Sequence, residues 1–306
     1  MMWLVGRIVS ALFTIWLAVT LVFIALRLLP GDAVQSQLLQ SGASAEIITA
    51  RRAQQGMDAP WLAQYGHYWI QFVQGNLGYS LSDGQAVTDL IFQRLEPTLM
   101  LAGGALLVGC ILGISLGIAG GTSSLLTPLA QTAINLALST PIYWTGTLAI
   151  WIFAVQMRLL PSAGGDGLSG LVMPVVVLGF HTSGGIGRAV EGSVRKNLNA
   201  DFVRTARSKG LPEALVLRRH VLRVGLLPVI TVIALQTGFL LGGAVITESL
   251  FVRPGLGRLL LDSTLQQDYP VVQGITALIA TAYTLVNVAA DALYTWFDPR
   301  ITAQRI

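Results

Sequence analysis

The one segment of this sequence that imitates a nucleophile is Gly167-Leu-Ser-Gly170, which resembles the serine motif of an intramembrane protease. Such a serine needs a histidine within hydrogen-bond reach to take its proton. His181 lies more than three helical turns further along the same apolar stretch, too far up the axis to reach Ser169. His220 and His67 fall in other segments, so the three histidines form neither a catalytic pair nor a metal site. A turn ahead of a helix is the better reading of residues 167–170. No glycine loop with Lys and Ser/Thr is present to cradle a phosphate, so any ATP chemistry belongs to another chain. Cys110, the only cysteine, sits in an apolar run and reads as an inert buried thiol. No catalytic residue and no metal ligand is assigned.

A second class of candidates consists of polar residues inside apolar stretches: Asn135, Ser139, Gln236, Asn287 and Asp291. Polar side chains at membrane depth turn toward protein or water, because lipid offers them no partner. They are candidates for a solute pathway or for an assembly contact. Interhelical hydrogen bonds average only about 0.6 kcal/mol, so neither role is forced.

These candidates need elements to hold them, and composition says which kind. The chain has 306 residues, 53% hydrophobic and only 11% charged, with mean hydropathy +0.67. A soluble domain carries roughly a quarter charged residues, so this chain faces a bilayer. Its +4 charge and pI of about 9.5 then report topology rather than nucleic-acid binding. A spanning helix needs about 20 apolar residues. Six stretches serve: Ile8–Leu26, Thr98–Ala119, Thr132–Val155, Leu171–Gly187, Gly225–Thr247 and Val271–Ala290. The first is longer than a signal-peptide core and is followed by Arg27 without a small-residue cleavage site, so it reads as a retained span.

Basic residues set the orientation. Arg188, Arg195, Lys196, Arg204, Arg207, Lys209, Arg218, Arg219 and Arg223 lie between the fourth and fifth spans. Arg7, Arg300 and Arg305 flank the outermost spans on the same side, which is the cytoplasm. The connection 120–131 should share that side, yet carries no charge. The opposite side receives residues 30–97. There Ala45–Gln55 and Trp61–Val73 read as short helices, the second with Trp61, Tyr65, Tyr68 and Trp69 as a ligand platform or, better, as rings at headgroup level.

Between the fourth and fifth spans, Asp201 is placed to cap a helix over Phe202–Lys209. Gly210 supplies a left-handed stop, and Pro212 opens a second helix. Two short basic helices on a glycine turn make a rigid knob suited to a cytoplasmic partner. The alternative is a basic loop that fixes topology and touches anionic lipid.

At these residues the chain resembles a known family. Asp201-Phe-Val-Arg-Thr-Ala-Arg-Ser-Lys-Gly210-Leu is similar to the coupling loop of the dipeptide, oligopeptide and nickel permeases of ABC importers. Arg204 and Thr205 stand where the general importer signature has Glu and Ala, and Ala206 and Gly210 match it. Its closing Leu-Pro is displaced to Leu227-Pro228. Further blocks follow the family in order: Arg27–Asp32, Gly56–Pro60, Gly75–Ser80, Glu248–Arg258, Asp268–Gln273 and Asp298–Arg300. The uncharged 120–131 connection departs from it, which puts a secondary cytoplasmic contact in question.

The resemblance implies an all-α polytopic inner-membrane protein with six transmembrane helices, an external insertion after the first and a cytoplasmic coupling-helix loop between the fourth and fifth. Residues 1–29 form the first span, 30–97 the external region and 98–306 the permease core, with the coupling loop at 199–223. Both termini are cytoplasmic. Asp201, Arg204, Thr205, Ala206, Lys209 and Gly210 are the expected ATPase-coupling residues. The implied partners are a second permease, two ATPase subunits that bind ATP and Mg, an external substrate-binding protein and membrane lipid, with no nucleic acid. No cofactor is expected in this chain. Di- or oligopeptides are the expected substrates, with nickel or another small solute as the alternative. A secondary transporter would show inverted repeats, and none is visible.

Overall fold

The computed structural model describes residues 2–28, 46, 59–164 and 167–297. The helix expected over Ala45–Gln55 lies outside these residues except for Glu46. So do Arg300 and Arg305, and parts of the blocks around Arg27–Asp32, Gly56–Pro60 and Asp298–Arg300.

Among the described residues the regular structure is helical, with one isolated antiparallel bridge between Tyr79 and Ala86. In chain order the helices are α1 (Met2–Leu28), α2 (Trp61–Val73), α3 (Val87–Thr122), α4 (Thr127–Ser139), α5 (Ile142–Ala149), α6 (Ser169–Leu198), α7 (Asp201–Ser208), α8 (Glu213–Val216), α9 (Leu222–Gly225), α10 (Leu227–Leu250), α11 (Leu256–Leu265) and α12 (Tyr269–Phe297). Wider π-type turns extend α5 over Ile150–Gln156 and join α8 to α9 over Leu217–Val221.

Among the described residues, four helical segments are long and apolar enough to cross a membrane: Gly6–Leu28, Val87–Thr122, Ser169–Leu198 and Tyr269–Ala290. Two bent pairs raise the number to six if each is one span. They are Thr127–Ser139 with Ile142–Gln156, bent by 106°, and Glu213–Gly225 with Val229–Leu240, bent by 56°. The expected straight span Thr132–Val155 is therefore broken. Pro141 has no N–H to continue the ladder and forces the preceding residue out of the helical region; Thr140 is extended, with φ −84° and ψ 138°.

The fourth span also differs from expectation. α6 runs eleven residues past Gly187, to Leu198. Ile186, Val190 and Val194 continue its apolar stripe at four-residue spacing, so Arg188, Arg195 and Lys196 are helical rather than loop residues. Pro174 lies inside α6 and removes the N–H that would bond the Gly170 carbonyl. Arg253 Nη1 donates to that carbonyl at 3.3 Å instead. Membrane helices tolerate proline where a neighbour re-satisfies the freed group in this way.

The chain divides into two compact units. One comprises Met1–Thr98 with Pro254–Thr284, the other Leu99–Arg253 with Leu285–Ile306. In the first, α1 buries Val19, Phe23 and Leu26 and leaves Ile8, Leu12, Phe13 and Leu21 bare. Phe23 meets Tyr65 and Tyr68 of α2, and Arg27 donates two hydrogen bonds to Gln64. Val87, Leu90 and Ile91 pack with Leu256, Val271 and Ile275. Asp268, almost fully buried, accepts from Ser80 Oγ at 2.5 Å and from the Leu81 and Ser82 amides at 3.1 and 3.2 Å.

In the second unit α3 and α6 approach along glycines. A Cβ on Gly109, Gly113, Gly117 or Gly121 would come within 2.5–2.8 Å of Thr182, Ile186, Val190 or Val194 respectively. Backbones this close maximise dispersion contact where lipid supplies no hydrophobic drive. α4 lies on the other side of α6, with Ile134 against Gly187 and Leu138 against Gly184.

Candidate functional site

The basic segment after α6 forms a folded knob. Ala200 is extended, with φ −77° and ψ 151°, and its carbonyl accepts from the Val203 and Arg204 amides at 3.0 and 3.2 Å. Ala200 is thus the N-cap, and α7 starts at Asp201 instead of Phe202. Asp201 does not cap with its side chain. It sits in the first turn, where a carboxylate favours the helix dipole, 3.8 Å from Arg204.

At the far end Gly210 takes φ +75°. Its N–H donates to the Arg207 carbonyl at 2.9 Å, and the Leu211 N–H to Ala206 at 3.5 Å. These two bonds define a Schellman stop. Pro212 is the N-cap of α8, as expected. Space around Gly210 is open, so φ rather than crowding demands glycine there.

α7 has two faces. Val203 and Ala206, three residues apart, are buried in one cluster with Val216, Val221 and Val229 and with Ile186, Val190 and Val194 of α6. Asp201, Phe202, Arg204, Thr205, Lys209 and Gly210 are exposed. Ala206 therefore anchors the helix from within. Phe202, at 40% exposure, is an apolar residue on the outward face that the motif did not single out. Arg207 donates to both carboxylate oxygens of Glu213, at 2.8 and 3.1 Å, and ties α7 to α8 across the glycine turn. That hydrogen bond holds the Glu213 carboxyl below its usual range and the Arg207 guanidinium above its own. Neither residue was predicted for the site, although a basic and an acidic residue flanking a glycine stop are visible in the sequence.

The uncharged 120–131 connection is held by charges from elsewhere. Glu191, buried on α6, accepts from Gln131 Nε2 at 2.7 Å and pairs with Arg195 at 3.0 Å. Arg195 donates in turn to the Gly120 carbonyl at 3.0 Å.

The polar residues of the spans scatter. Asn135 is exposed on α4, where its Oδ1 accepts from Arg188 Nη2 at 2.5 Å. Ser139 is exposed one turn along α4. Gln236 of α10 is half-buried, its amide pressed against Gly185. Asn287 is half-buried on α12. Asp291 falls on α12, but its side chain lies outside the described residues.

The protease reading finds no support in the position of its histidine. His181 Nδ1 donates to the Ala137 carbonyl at 2.9 Å, and its Nε2 shares a hydrogen bond with the Thr145 hydroxyl at 2.7 Å. Ser169 opens the helix on which His181 lies. The aromatic residues of α2 serve packing. Tyr65, Tyr68, Trp69 and Phe72 are in mutual ring contact, Tyr65 Oη shares a hydrogen bond with Thr20 at 2.7 Å, and burial pushes the Tyr68 phenol up to about 12. Trp61 stays exposed.

Residues 105–303 match the family described as binding-protein-dependent transport system inner membrane component. The glutathione transport system permease protein GsiC of Escherichia coli (strain K12) is 35% identical over 301 residues, covering 98% of each chain. Its counterpart in Salmonella typhimurium (strain LT2) is 35% identical over 297 residues, covering 96% of this chain and 97% of its own. Among solved structures, an inward-facing MetNI methionine ABC transporter aligns with TM-score 0.57 at 16% identity, over 69% of this chain and 97% of that one. An amino acid ABC transporter solved with histidines aligns with TM-score 0.51 at 18% identity, over 70% and 94%. At that identity the likeness shows a shared fold. The chain belongs to the inner-membrane components of binding-protein-dependent transport systems, as a permease subunit of an ABC importer in the peptide and nickel branch.

Proposed function

We propose that this permease moves short peptides inward, and that the outer face of α7 is the handle by which separate ATPase subunits drive it. The observation that carries the reading is the division of α7. Val203 and Ala206 fasten it to the core formed with α6 and α10, while Asp201, Phe202, Arg204, Thr205 and Lys209 stand free of that core. A helix fastened on one side and bare on the other transmits a push as a rigid body. Gly210 and the Arg207–Glu213 pair keep α7 and α8 at one angle, so force is not lost in a hinge.

In this scheme the loop 199–223 faces the cytoplasm with both termini, and residues 30–97 face outward. A second permease completes the pathway, and an external binding protein delivers the solute. ATP and Mg are bound by the ATPases. Peptides are favoured because relatives matching the whole length of the chain are named glutathione permeases. The test is reconstitution of the complete transporter with its binding protein. Uptake of labelled peptides coupled to ATP hydrolysis supports the reading, whereas uptake of nickel alone overturns the peptide assignment.

A further inference from the structure

Arg188 is a cation that neither the fold nor the coupling site uses. It lies on the long apolar helix α6, exposed, and its guanidinium is turned across to α4, where Asn135 Oδ1 accepts one N–H. Among the described residues no carboxylate pairs with it, whereas Arg195, two turns on, is neutralised by Glu191. A guanidinium in a membrane helix is costly unless it meets protein or water. An arginine reaching for headgroups extends along its own helix; this one is held sideways by a neighbour.

Its surroundings are small and polar. Gly185 and Gly192 flank it at three and four residues, on the same side of the helix. Gly192 has nothing within 4 Å of where a Cβ would be, and Gly185 has the Gln236 amide resting on its backbone. Ser139 is exposed one turn from Asn135. The result is a side-chain-poor strip, open at Gly192 and covered by Gln236 at Gly185, with one oriented cation bordered by two amides and a hydroxyl. Asn135 uses one of five guanidinium N–H donors, and the remainder suit a carboxylate, which a guanidinium binds with two parallel hydrogen bonds.

We infer that Arg188, oriented by Asn135, binds the carboxylate of the transported solute as it passes through the permease. The inference rests on the permease reading above and adds to it the residue that holds the solute's carboxylate.

The test uses the complete transporter in proteoliposomes and a panel of di-, tri- and tetrapeptides with free carboxyl ends. Arg188→Gln should lower peptide uptake about tenfold or more, while stimulation of ATP hydrolysis by the binding protein stays within about twofold. Arg188→Lys, which keeps the charge but loses the fork, should recover part of the uptake, and Asn135→Ala should lower it several-fold. In a Cys110→Ala background, Arg188→Cys should react with a water-soluble maleimide and be protected by peptide. Wild-type uptake of these peptides with unchanged uptake by Arg188→Gln overturns the inference and leaves the permease reading intact. A cysteine at 188 that reacts only with a membrane-partitioning reagent overturns it in favour of a lipid phosphate contact. A wild-type transporter that moves none of the peptides overturns the peptide reading itself.

Discussion

Ser80 donates its hydroxyl to Asp268 at 2.5 Å across 188 residues of sequence. The same carboxylate receives the Leu81 and Ser82 amides, so the turn after Gly78 is pinned to the start of α12. Gly75–Ser80 and Asp268–Gln273 are two blocks that in the sequence alone are only short matches; in the fold they are one clasp. A hydrogen bond to a charged group contributes about 1.5–3 kcal/mol. Ser80→Ala should destabilise the protein by that amount in detergent. Asp268→Ala should cost more, because it strands two amides besides the hydroxyl. Equal melting temperatures for both variants and wild type would contradict the clasp.

Pro174 and Arg253 form a compensating pair through the Gly170 carbonyl. Arg253→Ala leaves that carbonyl without its donor, a loss of about 1–3 kcal/mol. Pro174→Ala restores a helical N–H to the same acceptor. The double variant should therefore lose less than Arg253→Ala alone, and a thermal double-mutant cycle measures the difference. Additive losses would show that the two residues are independent.

The glycines of α3 are not equivalent. A Cβ on Gly117 would stand 2.5 Å from Val190 Cβ and 2.7 Å from the Gly187 carbonyl, whereas Gly103 has nothing within 4 Å. Gly117→Ala should cost about 1–3 kcal/mol through overpacking. Gly103→Ala should be neutral or stabilising by up to about 1 kcal/mol, since alanine favours a helix. Similar melting temperatures for the two variants would refute the seam.

Four helix stops among the described residues share one geometry but differ in residue type. Gly75, Gly210, Val252 and Gln267 all have positive φ, at 77°, 75°, 52° and 59°, each with the two reverse amide bonds of a Schellman stop. A side chain there costs roughly 1–2 kcal/mol. Val252→Gly should raise thermal stability by about 1 kcal/mol. Gly210→Ala should lower it by a similar amount. Gly210→Pro, locked near φ −65°, should abolish uptake while ATP hydrolysis continues, and near-normal uptake in that variant would count against the coupling role.

What the sequence disclosed follows the range of the forces involved. The left-handed Gly210 and the opening Pro212 are set by local chain geometry, and both were legible. The four-residue spacing of Gly109, Gly113, Gly117 and Gly121 was also there to be read as a packing seam. The reach of α6 to Leu198 was obscured because Arg188, Arg195 and Lys196 look like loop charges until Ile186, Val190 and Val194 are seen to pack against Gly113, Gly117 and Gly121 of α3. The break at Thr140–Pro141 was masked by the apolar run around it. The bond from Arg253 to Gly170 spans 83 residues, and no local pattern announces it. The motif marked Ala206 as part of the coupling loop; its three-residue spacing from Val203 tells that it faces inward.

The coupling role turns on the outer face of α7 meeting a separate ATPase. Thr205→Cys in a Cys110→Ala background should be labelled quickly by maleimide in the isolated subunit. It should be protected at least about tenfold in the complete transporter, and should cross-link to the ATPase with a yield that changes on ATP binding. Equal labelling rates in the isolated subunit and the complete transporter would contradict the coupling assignment.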